Sequence, residues 1–234
     1  MYEYILFIDT ETSDMPKRWN APTAKVNEWP YILQIAWVIC KKNGELVSSK
    51  DFYIRQNNIT IGEGALRLHG ITKEILAEKG VDRKLVLNNL AADIDVYQPL
   101  IVGHFLEFDK KMMEVGFSRE EIARNFDKLP KFCTMLYTRK PKDIFGGYSF
   151  MRLNELYFSL FNENYEHQHH ALADAQATKA CFFELVKQGK IDDQVISKQI
   201  RMNRRRWELP IWLVIALTLL IGTVIATVLY QVFL

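Results

Sequence analysis

The sequence predicts an α/β protein, a mixed sheet with helices packed on it, followed by one membrane-spanning helix at the C-terminal end. Three observations predict it. Apolar runs of strand length open the chain and are joined by a turn dipeptide. From Gly64 onward the apolar spacing turns helical and alternates with short strands. The stretch Ile211 to Leu229 holds no charged residue. A hairpin followed by alternating strands and helices builds a mixed sheet with helices on its faces.

Tyr4 to Asp9 reads as a buried strand, and Ser13 to Pro30 as a polar loop with three prolines. Ile32 to Lys41 reads as a second strand, Asn43-Gly44 as a hairpin turn, and Leu46 to Ile54 as a third strand, giving an antiparallel meander. Thr72 is placed to cap a short helix that stops at Gly80. Lys84 to Tyr97 is a helix with Leu87, Leu90, Ala91 and Ile94 inward, ended by Pro99. Leu100 to His104 is a short strand, after which Asp109 opens another helix. Ala171 to Lys187 is a long helix with Leu172, Ala175, Thr178, Cys181, Phe182 and Leu185 inward, closed by Gly189. The chain thus divides into a body, 1–189, a linker or juxtamembrane helix, 190–206, and a transmembrane helix, 207–231.

Nineteen residues at about 1.5 Å each make Ile211 to Leu229 long enough to span a bilayer of roughly 30 Å. Trp207 and Trp212 mark one end and Tyr230 the other. Arg201, Arg204, Arg205 and Arg206 precede it, which by the positive-inside rule keeps the body cytoplasmic on a single-pass C-terminal anchor. These arginines suit anionic membrane lipid better than nucleic acid. Thr218, Gly222 and Ala226 form a small-residue stripe through which the span could dimerise. No secretory signal opens the chain.

The chain carries 30 basic and 28 acidic side chains, and the body alone is close to neutral. A bulk basic footprint for nucleic acid is excluded, so phosphate affinity must come from local patches or bound cations. Cys40, Cys133 and Cys181 form no CxxC pair and read as buried free thiols.

Five dispersed residues carry the chemistry. Asp9 and Glu11 end an apolar strand and share one of its faces. Two carboxylates there repel each other, and a hard divalent cation such as Mg²⁺ or Mn²⁺ relieves both the repulsion and the lost hydration. Asp109 follows a short strand. Asp174 lies on the long helix between Ala173 and Ala175, a small-residue face that implies close approach of another element. His169 precedes that helix in a loop, where an imidazole can take a proton from water. Four carboxylates and an imidazole can hold two divalent cations and activate a water, which is phosphodiester hydrolysis chemistry. The histidines His167, His169 and His170 also admit a transition-metal site, or a plain surface loop.

Asp-x-Glu, then Phe-Asp, then His-x4-Asp on a helix resembles the DEDDh 3′–5′ exonucleases over about residues 3 to 187, with Leu68-His69-Gly70-Ile71-Thr72 similar to that family's His-Gly-Ile-Thr segment. The resemblance implies a ribonuclease H-like fold and release of nucleoside 5′-monophosphates from DNA or RNA 3′ ends. It implies two Mg²⁺ on Asp9, Glu11, Asp109 and Asp174, His169 as general base, and Thr10, His69, Ile71 and Phe105 at the substrate. His69 could equally buckle a capped turn. Phe105 departs from the asparagine common at its place. The loop 13–30 carries Lys17, Arg18, Trp19, Lys25 and Trp29 and either packs as a lid or stacks a base through Trp19. A non-catalytic nucleic-acid-binding or scaffold protein, and a dinucleotide hydrolase, are the alternatives.

Overall fold

The structure is a computed structural model and describes residues 2–123, 126–141 and 147–205. Two compact units divide the chain, 1–196 and 197–234, and the fold below is that of the first. The expected span at 207–231 lies outside the described residues, and no helix among the described residues is long and apolar enough to cross a membrane. The segment before it is helical over Asp193–Arg205 (α8, in chain order).

Five strands form the main sheet: β1 (Tyr4–Thr12), β2 (Ile32–Lys41), β3 (Leu46–Tyr53), β4 (Leu100–Gly103) and β5 (Lys131–Cys133), in the order β3-β2-β1-β4-β5. The first three are the expected antiparallel meander, while β4 and β5 run parallel to β1. Gly44 (φ 90°) supplies the left-handed residue of the β2–β3 turn, and the Asn43 side chain accepts from the Glu45 N–H at 3.0 Å. β1 runs three residues further than the sequence suggests, because Thr10, Glu11 and Thr12 keep pairing with Ile35, Gln34 and Ile32 across a register shift. Ile54 falls outside β3 and bridges Val81 instead.

Helices follow in order: α1 (Glu63–His69), α2 (Lys73–Lys79), α3 (Arg83–Tyr97), α4 (Leu106–Arg119), the single turn α5 (Thr134–Tyr137), α6 (Leu153–Phe161) and α7 (Ala171–Lys187). A two-stranded ribbon, β6 (Lys140–Pro141) with β7 (Tyr148–Ser149), stands apart from the main sheet. Thr72 caps α2 by accepting the Ile75 N–H at 3.4 Å, and Asp82 caps α3 by accepting the Leu85 N–H at 2.9 Å. α4 begins at Leu106, one turn earlier than expected, so Asp109 sits within its first turn.

Alternation along β1 decides what each face meets. Leu6 and Ile8 enter the main core with Leu87, Leu90 and Ile94 of α3 and Met112, Met113 and Phe117 of α4. Phe7 points the other way, edge-on to Phe182 of α7 at 5.6 Å. Ala171 and Ala175 of α7 are buried, and their small side chains let the helix lie close on β1 and β2, while Ala177 packs with Leu153 and Leu156 of α6. Leu172 is only half-buried, because Ala171 and Ala175 take the positions that face the sheet. All three cysteines are buried, and none forms a disulfide among the described residues. Trp37 is fully buried on β2, and its Nε1–H donates to Asp93 on α3 at 2.7 Å, so the largest core side chain leaves no polar atom unpaired.

The loop 13–30 is tied down at its exit by one side chain. Arg119, in the last turn of α4, donates to the carbonyls of Val26 (2.7 Å), Trp29 (2.8 Å) and Pro30 (2.8 Å) and lies 3.8 Å from the Tyr31 ring centroid. Burial pulls its pKa down to about 10, still far above neutrality, so it remains a cation.

Candidate active site

The site forms at the C-terminal end of β1, where α4 arrives from one side of the sheet and α7 from the other. Odd-numbered residues of β1 face α7, which sends Asp9 and Glu11 toward Asp174 on the same side as Phe7. Thr10, on the opposite face, is buried, and its hydroxyl donates to Asp109 Oδ1 at 2.7 Å. That bond joins β1 to the first turn of α4 across 99 residues of sequence.

All four acids sense one another. Burial first, then Asp109, Asp174 and Glu11, push the Asp9 carboxyl well above its usual range. Burial, then Asp174 and Asp109, raise Glu11 to about 8. Burial raises Asp109 to about 7 against the opposing bond from Thr10. Asp174 is also raised by burial, although Tyr165 and His169 partly restrain it. Among the described residues every influence on Asp9 and Glu11 pushes upward, with no positive charge to offset it.

Asp174 is oriented by two donors, the Tyr165 hydroxyl at 2.9 Å and the His169 backbone N–H at 3.3 Å, both on Oδ1. Among the described residues no hydrogen bond reaches its Oδ2. Burial and the nearby Asp174 raise the Tyr165 phenol, so it stays a proton donor. His169 is exposed and adopts a left-handed backbone conformation (φ 64°). One donor atom each from Glu11, His169 and Asp174 lie within 4.8 Å of one another, a group that can hold a metal ion. Buried, mutually repelling carboxylates, with no basic partner on Asp9 or Glu11 among the described residues, fit a hard divalent cation with oxygen ligands.

The start of α7 is anchored from the sheet. Gln34, fully buried and opposite Glu11 in the β1–β2 register, accepts the Ala171 N–H on Oε1 at 3.2 Å. Its amide nitrogen donates to Asp51 at 2.8 Å and lies 3.0 Å from His170 Nε2. His170 is therefore a support, and the three-histidine transition-metal reading loses it to that network.

The other expected substrate residues surround this end of β1. His69 spends both ring nitrogens on its own turn: Nδ1 accepts the Ile71 N–H at 2.9 Å, so Nε2 carries the proton and donates to the Thr12 carbonyl at 3.1 Å. It buckles the loop after β1 to the end of α1. The Ile71 side chain is 2% exposed and packs with Leu33, Ile59 and Leu76. Phe105 caps α4 in a left-handed conformation (φ 68°) and is 36% exposed. The preceding His104 is bound by Met151 and Thr134 at 3.0 and 2.9 Å, and burial lowers its pKa to about 4, leaving it neutral.

The raised acids give a testable linkage. Below about pH 4 they carry protons whether folded or unfolded. Between there and about 8 the folded, metal-free chain holds protons that the unfolded chain has released, so stability falls as pH rises through this window. Thermal melts in EDTA are expected to drop from pH 5 to 8.5, with Mn²⁺ restoring most at the alkaline end. Glu11→Gln should flatten the slope, and a level EDTA profile in the unaltered chain would contradict this account.

The family model described as "Exonuclease", that of RNase T, matches residues 6–182. No curated protein sequence matches the chain. Among solved structures, E. coli exonuclease I in complex with a dT13 oligonucleotide is similar at 20% identity and a TM-score of 0.60, over 79% of this chain and 41% of that one. The same enzyme with a dA16 oligonucleotide gives 20% identity and a TM-score of 0.60 over 84% and 42%. A further exonuclease I structure gives 19% and 0.63 over 84% and 43%. This chain therefore spans less than half the length of those proteins, and at such identities the likeness is one of fold. With the family model covering β1 through most of α7, the chain belongs to the RNase T family of exonucleases.

Proposed function

We propose that the protein is a divalent-metal-dependent 3′–5′ exonuclease of the DEDDh type, releasing nucleoside 5′-monophosphates from single-stranded 3′ ends. The observation that carries this reading is the convergence of Asp9, Glu11, Asp109 and Asp174, drawn from three separate elements, on one end of β1 beside His169. The oligonucleotides held by E. coli exonuclease I support a single strand as substrate.

Two Mg²⁺ ions, or Mn²⁺, fit the four carboxylates; bound there they neutralise phosphate charge and make a coordinated water acidic. The chain's own residues do the rest. Thr10 fixes the Asp109 carboxylate, and Tyr165 with the His169 N–H fixes that of Asp174, so neither acid must reorient during turnover. An imidazole nitrogen of His169, exposed and near Glu11 and Asp174, accepts the proton of the attacking water. His69 holds the turn after β1 through both ring nitrogens, and so supports the end of the strand that carries Glu11.

We further propose that residues 190–206 connect the catalytic body, 1–189, to a membrane span at 207–231, with the body cytoplasmic and the arginines against anionic lipid. The charge-free stretch and the basic residues before it support this. Pairing of spans through Thr218, Gly222 and Ala226 belongs to the same proposal.

The experiment is a substrate panel on the full chain: single- and double-stranded DNA, RNA and a dinucleotide, labelled at either end. Mononucleotides released from the 3′ end in Mg²⁺ and stopped by EDTA are expected. Binding without cleavage would make it a nucleic-acid-binding scaffold. Cleavage of the dinucleotide alone would make it a dinucleotide hydrolase, and release from the 5′ end would reverse the polarity.

A further inference from the structure

The connection between α6 and α7 sends two donors to a single oxygen. Asn162, His167 and His169 all adopt left-handed backbone conformations there (φ 57°, 56° and 64°), and the Gln168 amide donates to the Tyr165 carbonyl at 3.4 Å. Residues other than glycine hold such conformations where surrounding contacts fix them. Two of those contacts end on Asp174: the Tyr165 hydroxyl reaches Oδ1 at 2.9 Å and the His169 N–H reaches the same atom at 3.3 Å.

Packing alone does not call for a tyrosine at 165. Its ring lies against Tyr157 of α6, with centroids 5.2 Å apart, at the margin of the apolar cluster that Leu153 and Leu156 form with Ala177 and Cys181. A phenylalanine fills the same place. The hydroxyl adds a polar atom at the edge of an apolar cluster, which needs a partner, and the partner it takes is the Asp174 carboxylate. Tyr165 belongs to the loop before α7 and Asp174 to α7 itself, so the carboxylate is turned by a group outside its own helix. A hydrogen bond to a carboxylate is stronger than one between neutral groups, and this is the shorter of the two on Oδ1.

A carboxylate can meet a cation through one oxygen or through both. We propose that Tyr165 is a positioning residue for the cation: it binds Asp174 by Oδ1, so that the carboxylate presents Oδ2 alone to the ion. Without the hydroxyl, the longer bond from the His169 N–H is left to hold the group, and the carboxylate can rotate about its Cβ–Cγ bond. Removing a partner that orients a metal ligand typically costs about 10–100-fold in metal affinity. The inference rests on the reading of the four acids as cation ligands and deepens it at one of them.

The test is Mn²⁺ binding to the full chain without nucleic acid, followed by loss of the free-ion EPR signal and by the Mn²⁺-induced rise in melting temperature. Tyr165→Phe is expected to melt cooperatively in EDTA and to need about 10–100-fold more Mn²⁺ for half-saturation. A tyrosine that merely packs would lower the melts with and without Mn²⁺ together and leave the titration unmoved, and that result overturns the assignment. A double-mutant cycle locates the effect. On Asp174→Asn, where the carboxylate is already gone, Tyr165→Phe is expected to move the Mn²⁺ midpoint by less than about twofold. A loss there as large as in the unaltered chain puts the action of the hydroxyl elsewhere and also overturns it. 3-Fluorotyrosine at position 165 keeps the hydroxyl and is expected to keep the unaltered affinity; weakened binding in that protein counts against the hydroxyl bond. An unaltered chain that binds no Mn²⁺ brings down the cation reading and this assignment with it, whereas Mn²⁺ binding that Tyr165→Phe leaves unchanged brings down the assignment alone.

Discussion

Asp9→Asn is expected to abolish nucleotide release and, in the metal-free protein, to raise the melting temperature. The two effects have one origin. Asp9 feels Asp109, Asp174 and Glu11, and nothing positive among the described residues offsets them. An amide holds no titrating proton, so the cost of keeping Asp9 protonated when the unfolded chain would release that proton disappears, and a gain on the order of 1 kcal/mol corresponds to about 2–4 °C for a domain of this size. The same substitution takes a ligand from the cations, whose stabilisation of developing charge is worth several kcal/mol; each 1.36 kcal/mol is about tenfold, so a loss of roughly 10³-fold or more follows. Melting in EDTA, beside mononucleotide release in Mg²⁺, checks both signs. A variant that is less stable without metal would show that Asp9 makes a structural contribution that its surroundings do not reveal, and one with near-normal turnover would end the metal assignment.

His169→Asn is expected to reduce turnover by about 10²–10⁴-fold, the usual contribution of a positioned general base. Asparagine is the informative replacement because residue 169 has φ 64°, a conformation asparagine tolerates and alanine resists. The variant therefore keeps the loop and the N–H that binds Asp174, and loses only the proton acceptor. Its residual rate should climb steadily with pH as hydroxide replaces the imidazole. A rate profile parallel to that of the unaltered enzyme would mean that His169 takes no proton.

The candidate site residues were legible because each lies within a short local pattern. Asp9 and Glu11 share a strand face through a two-residue period, and the alanines beside Asp174 foretold a helix lying close on the sheet. The boundaries Ile32–Lys41 and Ala171–Lys187 followed from apolar spacing with clear stop signals. The supports of the site were not legible. Tyr165 and Thr10 act on Asp174 and Asp109 through single hydroxyl bonds that leave no periodic trace. Gln34 did carry a signal, being the lone amide within an apolar strand, yet its partners Asp51 and Ala171 lie 17 and 137 residues away. Arg119 looked like an ordinary cation at a helix C-terminus, because the carbonyls it gathers lie about 90 residues earlier. β5 and α6 were missed for a related reason: strands of three residues and helices of nine give too few periods to stand out.

Three peptide carbonyls converging on one guanidinium have a bearing on how this scaffold can change. Main-chain oxygens are offered by any residue type, so the clasp does not depend on which side chains occupy 26, 29 and 30. Upstream of it, the exposed residues of 14–25 can vary in composition, while Ala21, buried in the main core, and Trp19, against Phe105, are held by packing. Changing those exposed residues therefore leaves the clasp and the carboxylate end of β1 as they are.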